Sequence, residues 1–350
     1  MFSAKNYGGI VTKTKAIYGK RIKPSDYEAL ANMKTVPQIA KYIMSHEGYK
    51  DAFPETGNKE NKTSYIEGKL KAELEKEFMR VLKFANGDDH RLLEAIYTRL
   101  EIDEMLYFLR KLVSERTDSY EPRISEAFRQ RSKINFNAFK EAKTFQDFME
   151  VIKNSKYYEP LVRFLPVGKF DYTEVENVLS SLYYAEVLKR IEKYAPKNDV
   201  AILQDFIGGL VDLTNFFRII RCKRYHKLDG ELIYANLLPL TYKLDKKIIA
   251  DMVDAPNWND AYNIIYSTKY KKLFEQAEYE YVEEYLQEFA WDCASKILHG
   301  NNATITMPFA YFYAKNIEIK NLTNIIECVR YGVDSKDIKR HLIGIKDGEK

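Results

Sequence analysis

One helical pattern occurs three times along this chain. The stretch KTVPQIAKYIMSHEGY begins at Lys34, KTFQDFMEVIKNSKYY at Lys143 and NWNDAYNIIYSTKYKK at Asn257. Each carries large or small apolar residues at i, i+3 and i+7: Val36, Ile39 and Ile43, then Phe145, Phe148 and Ile152, then Trp258, Ala261 and Ile265. That spacing lines one face of an α-helix. A Gly-Tyr or Lys-Tyr pair follows each copy (Gly48-Tyr49, Lys156-Tyr157, Lys269-Tyr270).

Two further elements recur in the same order. Glu67 and Leu70 match Glu176 and Leu179, and Glu283 and Leu286 fill the same places in the third copy. The segments Asp103–Leu112, Asp212–Arg221 and Asn321–Arg330 follow at equal steps, the last two sharing Leu-Thr-Asn (Leu213-Thr214-Asn215 and Leu322-Thr323-Asn324). Three elements in constant order predict an internal triplication. The expected modules are 1–100, 101–210 and 211–350, with no long linker, and a pseudo-symmetric body suited to holding other proteins.

The chain of 350 residues is 45% hydrophobic, enough for a sizeable core, and holds only 15 Gly and 10 Pro. Few breakers and many periodic charged segments predict an all-α fold. The stretch from Pro54 to Ser64, PETGNKENKTS, reads as an exposed loop. Gly332 is expected to close the helix that Pro308 opens, and Ser335 to cap the last one.

A net charge of +4, with 55 basic against 51 acidic residues, gives no basic stripe for nucleic acid. Three cysteines without CxxC spacing argue against a disulfide framework and for a reducing compartment. No apolar leader opens the chain, and Val200–Ile220, though apolar, contains Asp205 and Asp212. The expectation is a cytosolic protein with at most a peripheral membrane role.

Catalytic signatures are missing. The Gly-Lys pairs at Gly19, Gly68 and Gly168 lack the upstream glycine and following Ser or Thr of a phosphate-binding loop. His46-Glu47 lacks the second histidine of a zinc helix, and the five histidines are scattered. Neighbouring acids such as Glu283-Glu284 point about 100° apart on a helix, which does not suit a shared substrate. No catalytic residue, cofactor, metal or small-molecule substrate is therefore expected. Two features point instead to protein partners. DLTNFFRIIRCKRYHK, from Asp212, sets Arg218 and Arg221 beside a strongly apolar face, and 27 tyrosines supply side chains favoured at interfaces.

Four stretches carry a family resemblance. They are the Tyr7 segment leading to YEALANMKTVPQIAKYI, then YTEVENVLSSLYYAEVLKRI, IGGLVDLTNFFRIIRCKRY, and the C-terminal PFAYFYAKNIEIKNLTNIIECVRYGVDSKDIKRHL. Together they resemble the C subunit of bacterial and archaeal V/A-type ATPases, the counterpart of the d subunit of the eukaryotic vacuolar ATPase. Asn316 stands where that family pattern has an acid, while Glu318 and Asn321 keep it.

The resemblance implies a funnel of three similar helical domains on the cytoplasmic face of a membrane. It also implies a non-catalytic role: coupling the central stalk, made of the D and F subunits, to the membrane proteolipid ring. Tyr7, Arg110, Arg218, Arg221, Tyr311, Glu318 and Arg330 are the expected partner-interface residues. The competing expectation is a cytosolic helical adaptor with no rotary role.

Overall fold

The computed structural model describes residues 3–53, 63–167, 170–276, 282–300 and 303–345. Most of the loop expected at Pro54–Ser64 lies outside the described residues, and the helix after it begins at Thr63. Among the described residues every regular element is helical. In chain order these are α1 (Ser3–Tyr18), α2 (Pro24–Ala31), α3 (Val36–Ser45), α4 (Thr63–Leu82), α5 (Gly87–Val113) and α6 (Glu126–Arg129). There follow α7 (Phe145–Ile152), α8 (Tyr158–Leu161), α9 (Tyr172–Tyr194), α10 (Lys197–Arg221), α11 (Gly230–Ala235) and α12 (Lys246–Asp254). The last are α13 (Trp258–Asn263), α14 (Lys271–Gln276), α15 (Val282–His299), α16 (Thr306–Arg330) and α17 (Ser335–Arg340).

The three repeated short helices are α3, α7 and α13. Each begins after an extended residue whose side chain can cap: Thr35, Thr144 and Asn257. The backbone N–H of Asp147 donates to Thr144 Oγ1 (3.1 Å), and that of Asp260 to Asn257 Oδ1 (3.0 Å). At Thr35 the return half of the cap is present, Thr35 N donating to Gln38 Oε1 (3.2 Å). These bonds occupy backbone donors that the first helical turn leaves unpaired.

By contacts the chain forms two compact units. Unit 1 comprises Met1–Leu93, Arg123–Phe128 and Gln287–Lys350, and unit 2 comprises Glu94–Pro122 and Arg129–Leu286. In unit 1, α16 packs against α4 and α1. Ile66, Leu70, Leu74 and Phe78 form an i, i+4 stripe on α4, buried with Phe309, Phe312, Leu322 and Ile326 of α16. The Phe78 and Phe312 rings meet edge to face at 6.0 Å. Both ends of the chain join this unit: α17 lies on α2, where Lys339 pairs with Glu28 (3.2 Å) and Ser335 Oγ donates to Asn32 Oδ1 (2.6 Å). Gly332 does close α16, with φ +73°. The cap of α17 is Asp334 rather than the expected Ser335, because the Asp334 carboxylate reaches the Lys336 N–H (2.9 Å) while the Ser335 hydroxyl is taken up by Asn32.

The aromatic excess goes chiefly to unit 2. Phe108, Phe139 and Phe148 lie nearly parallel in a triangle, their ring centres 4.5, 5.4 and 6.0 Å apart. A second cluster gathers Phe216, Phe217, Tyr262, Phe274 and Tyr285, with Phe274 and Tyr285 stacked at 4.8 Å. Such contacts add to plain area burial. The apolar helix noted at Val200–Ile220 is α10; in length and composition Lys197–His226 could cross a membrane, but 67% of its apolar window is buried inside the protein. It packs against α9, α12 and α13 as a core helix. A glycine is required at Gly208, since a Cβ there would lie 2.4 Å from the Tyr242 ring.

Candidate functional site

The repeat generates three equivalent polar stations. At each, the tyrosine that follows a short helix is buried and donates its hydroxyl to a carboxylate on a long helix. Tyr49, after α3, donates to Glu318 of α16. Tyr157, after α7, donates to Glu101 of α5 (2.7 Å). Tyr270, reached through the short turn after α13, donates to Asp212 of α10 (2.7 Å). Burial and the adjoining carboxylate push all three phenols far above their ordinary range, so they are fixed donors.

The stations differ in how they balance charge. In unit 1, Glu318 also accepts the Ile22 N–H (3.0 Å) and Lys315 Nζ (2.8 Å). Lys315 lies 3.6 Å from Glu77 and over the Tyr49 ring (4.1 Å), and Tyr311 donates to Glu77. All these side chains are under 10% exposed. Burial pushes the Glu77 carboxyl up, against the pull of Lys315. Burial works to lower the Lys315 ammonium, but Glu318 and Glu77 outweigh it and hold it above its ordinary value.

In unit 2, Asp212 instead accepts three backbone N–H groups, from Tyr242, Lys243 and Leu244 (2.8, 2.7 and 2.9 Å). The nearby lysines, Lys243 and Lys269, pair at the surface with Asp205 (2.5 and 3.3 Å). At the second station Lys156 bonds Glu186 (2.5 Å), which also takes Arg190 (2.9 Å). Burial works to raise the Glu186 carboxyl, yet the two cations hold it below its ordinary value.

The seven expected interface residues divide by location. Tyr311 and Glu318 belong to the unit 1 station, 3% and 6% exposed, and face the interior rather than solvent. Tyr7 is half-buried and donates to Asp89 Oδ1 (3.3 Å). Arg218 is half-buried too, its guanidinium donating to the Asn236 carbonyl (3.1 Å). Arg110, Arg221 and Arg330 are exposed; Arg110 donates to the Tyr172 hydroxyl (3.0 Å), and Arg330 pairs with Glu327 (3.3 Å). Asn316 bonds the Phe312 carbonyl one turn back (3.3 Å), a local role. Among the described residues no group of three His, Cys, Asp or Glu is placed to hold a metal.

Sequence reasoning found the Gly-Tyr and Lys-Tyr pairs and placed Asp212 in the repeat, but found neither its pairing with Tyr270 nor Glu77, Glu101 and Lys315, with which the stations are built. One signal was available: an isolated Lys315 inside the apolar run PFAYFYAKNIEI needs a buried counter-charge.

Comparison with known proteins agrees across the chain. The family model described as ATP synthase (C/AC39) subunit matches residues 10–341. The A-type ATP synthase C subunit of Methanosarcina mazei is 23% identical, over 97% of this chain and 93% of its own length. The C subunit of the Archaeoglobus fulgidus enzyme is 22% identical, over 95% of each. That of Thermococcus gammatolerans is 26% identical over 58% of this chain and 55% of its own length.

Proposed function

Since the chain belongs to the ATP synthase (C/AC39) subunit family, we propose that it is the non-catalytic coupling between the central stalk and the membrane ring of a rotary A/V-type ATPase. In this reading the D and F stalk subunits seat in a funnel of three modules, the proteolipid ring lies beneath it, and the chain works at the membrane surface without spanning it. Its task is mechanical, to carry rotation during ion transport.

The observation that carries the reading is the recurrence of one joint in each copy of the repeat: a tyrosine after each short helix donates to an acid on a long helix, Tyr49 to Glu318 of α16, Tyr157 to Glu101 of α5 and Tyr270 to Asp212 of α10. Three copies of one joint support the triplicated helical design of this reading. Packed helices tied at each joint by a buried tyrosine bonded to an acid resist deformation, as a torque-bearing part must.

The test is affinity purification of the tagged chain from detergent-solubilised native membranes. The expected result is co-elution of ring and stalk subunits. Recovery of the chain alone, or only from the membrane-free fraction, would overturn the proposal in favour of a free adaptor.

A further inference from the structure

One carboxylate oxygen in unit 2 holds two lysines. Asp205, on α10, presents Oδ1 to the Tyr242 hydroxyl (2.8 Å), to Lys243 Nζ (2.5 Å) and to Lys269 Nζ (3.3 Å). A carboxylate oxygen has two lone pairs, so three donors overfill it, and Lys269 is the most loosely held. The charges do not balance either. Among the described residues neither lysine pairs with a second carboxylate, so two ammonium groups share one acid. Lys269 Nζ also lies near two rings, 4.7 Å from the centre of Tyr242 and 5.1 Å from that of Tyr270. Its side chain is 33% exposed, so one edge stays open to solvent. Burial and the neighbouring Lys243 hold the Lys269 ammonium below its ordinary value, although Asp205 pulls the other way. Lys243, bonded to Asp205, is held above its own.

The repeat supplies an internal control. Lys156 stands at the place of Lys269, one residue before the buried tyrosine of its station. There two cations have two acids. Lys156 pairs with Glu186 (2.5 Å), and Arg190 pairs with both Glu186 (2.9 Å) and Glu94 (3.2 Å). Lys156 also donates to Thr98 Oγ1 (2.7 Å). At 48% its side chain is the more exposed of the two lysines, yet its surroundings carry no surplus positive charge.

We propose that Lys269 is a reactive amine and a modification site, acylated by a small acyl phosphate in preference to Lys156 and Lys243. A lysine partly desolvated beside another cation is the setting in which an amine becomes a nucleophile near neutral pH. The surplus positive charge draws in an anionic donor, and the narrow opening beside the two rings favours a small one. The neutral amine attacks the acyl carbon. The N–C bond forms, the bond from that carbon to the phosphate oxygen breaks, and inorganic phosphate leaves with the electron pair. The proton released from nitrogen passes to solvent. The product is an uncharged amide, which leaves Lys243 and Asp205 as a balanced pair. Modification thus relieves the crowding at Asp205 one residue from the Tyr270 station.

The experiment treats the purified full chain with acetyl phosphate and follows acetylation of each lysine by mass spectrometry. Amines left unreacted are capped after denaturation with an isotopically heavy acetyl reagent, so that each site gives a ratio. Lys269 is expected to react at least about fivefold faster than Lys156 and Lys243. Exposure alone predicts the reverse order for Lys269 and Lys156, so a Lys156 rate equal to or above that of Lys269 overturns the proposal. Lys243→Met removes the neighbouring cation and leaves Asp205 to Lys269 alone, and should slow Lys269 by about fivefold, whereas Lys243→Arg should keep most of the rate. An unchanged Lys269 rate in Lys243→Met overturns the proposal, because a merely accessible lysine would not respond to that change. The preference should also vanish in denaturing urea. Its survival there would trace it to local sequence rather than to the Asp205 cluster and would overturn the proposal as well.

Discussion

The stations of units 1 and 2 solve one problem in opposite ways. Both bury a tyrosine against a carboxylate. Unit 1 answers the charge with a second charge, sealing Lys315 between Glu77 and Glu318. In unit 2 the Asp212 station answers it with the backbone, wrapping the segment 242–244 around the carboxylate, and leaves its lysines at the surface on Asp205. The lesson is about failure. A buried ion cluster is intolerant of losing any member, because a stranded charge has no solvent. A carboxylate cradled by N–H groups depends on one loop conformation instead.

The comparison breaks most sharply at the lysines. Lys315→Met leaves Glu77 and Glu318 facing each other without a cation and should cost unit 1 about 3–5 kcal/mol. Lys269→Met removes one arm of a surface pair, where Lys243 still serves Asp205, and should cost less than about 1 kcal/mol. Urea unfolding of the two variants measures both. Equal losses would mean that burial of the Lys315 cluster does not set its energy.

Next in size is the backbone cradle. Asp212→Ala strands the N–H groups of Tyr242, Lys243 and Leu244 and the Tyr270 hydroxyl, and should cost about 3 kcal/mol. Asn321 stands at the same place in the next repeat and exchanges two bonds with the Ile343 backbone (2.9 and 3.1 Å). Asn321→Ala should cost about half as much. Hydrogen exchange at 242–244 and at 343 reads the two losses locally.

How much of this could be read from sequence follows from the distances involved. The helices were legible, because i, i+3, i+7 spacing is local. The tyrosines were legible as the residue after each repeat. Their acids were not, for two reasons. Tyr49 and Glu318 are separated by 269 positions, so no local pattern joins them. The acids also sit at different steps of the repeat: Asp212 aligns with Asn321, but the carboxylate serving Tyr49 is one turn earlier, at Glu318. Among the arginines, periodicity put Arg218 and Arg221 on one helix but could not show that the end of α11 meets Arg218. Only Asn236, at the end of α11, decides that.

Acid should separate the units in opposite directions. Burial raises the Glu75 and Glu77 carboxyls of unit 1 above the unfolded value of 4.5. Their contribution to stability is fully present below about pH 4.5 and is lost as pH rises through the folded value. In unit 2, Glu186 and Asp205 are depressed, the cations on each outweighing burial. Their contribution is present above the unfolded values and is lost as pH falls through the depressed ones. Glu75→Gln should therefore flatten the neutral-side slope for unit 1 alone, and Lys156→Met the acid-side slope for unit 2 alone. Hydrogen exchange followed per unit from about pH 2 to pH 8 checks this; parallel profiles in both variants would refute it.

The smallest difference lies in the caps of the repeated helices. Thr144 makes both halves of its capping box with Asp147 (3.1 and 2.9 Å), so Thr144→Ala removes an acceptor from the first turn of α7 and should cost about 1 kcal/mol. The Thr35 hydroxyl has no such bond; its cap runs from the backbone N–H to Gln38. Thr35→Ala should then cost only a few tenths of a kcal/mol, whereas Gln38→Ala should cost more because the Lys34 and Thr35 N–H groups both donate to that one side chain. Thermal melts of the three variants order them as Thr144, Gln38, Thr35. If Thr35→Ala matched Thr144→Ala, the two repeats would share one cap mechanism after all, and the divergence between the units would begin inside the stations rather than at the first residue of the repeat.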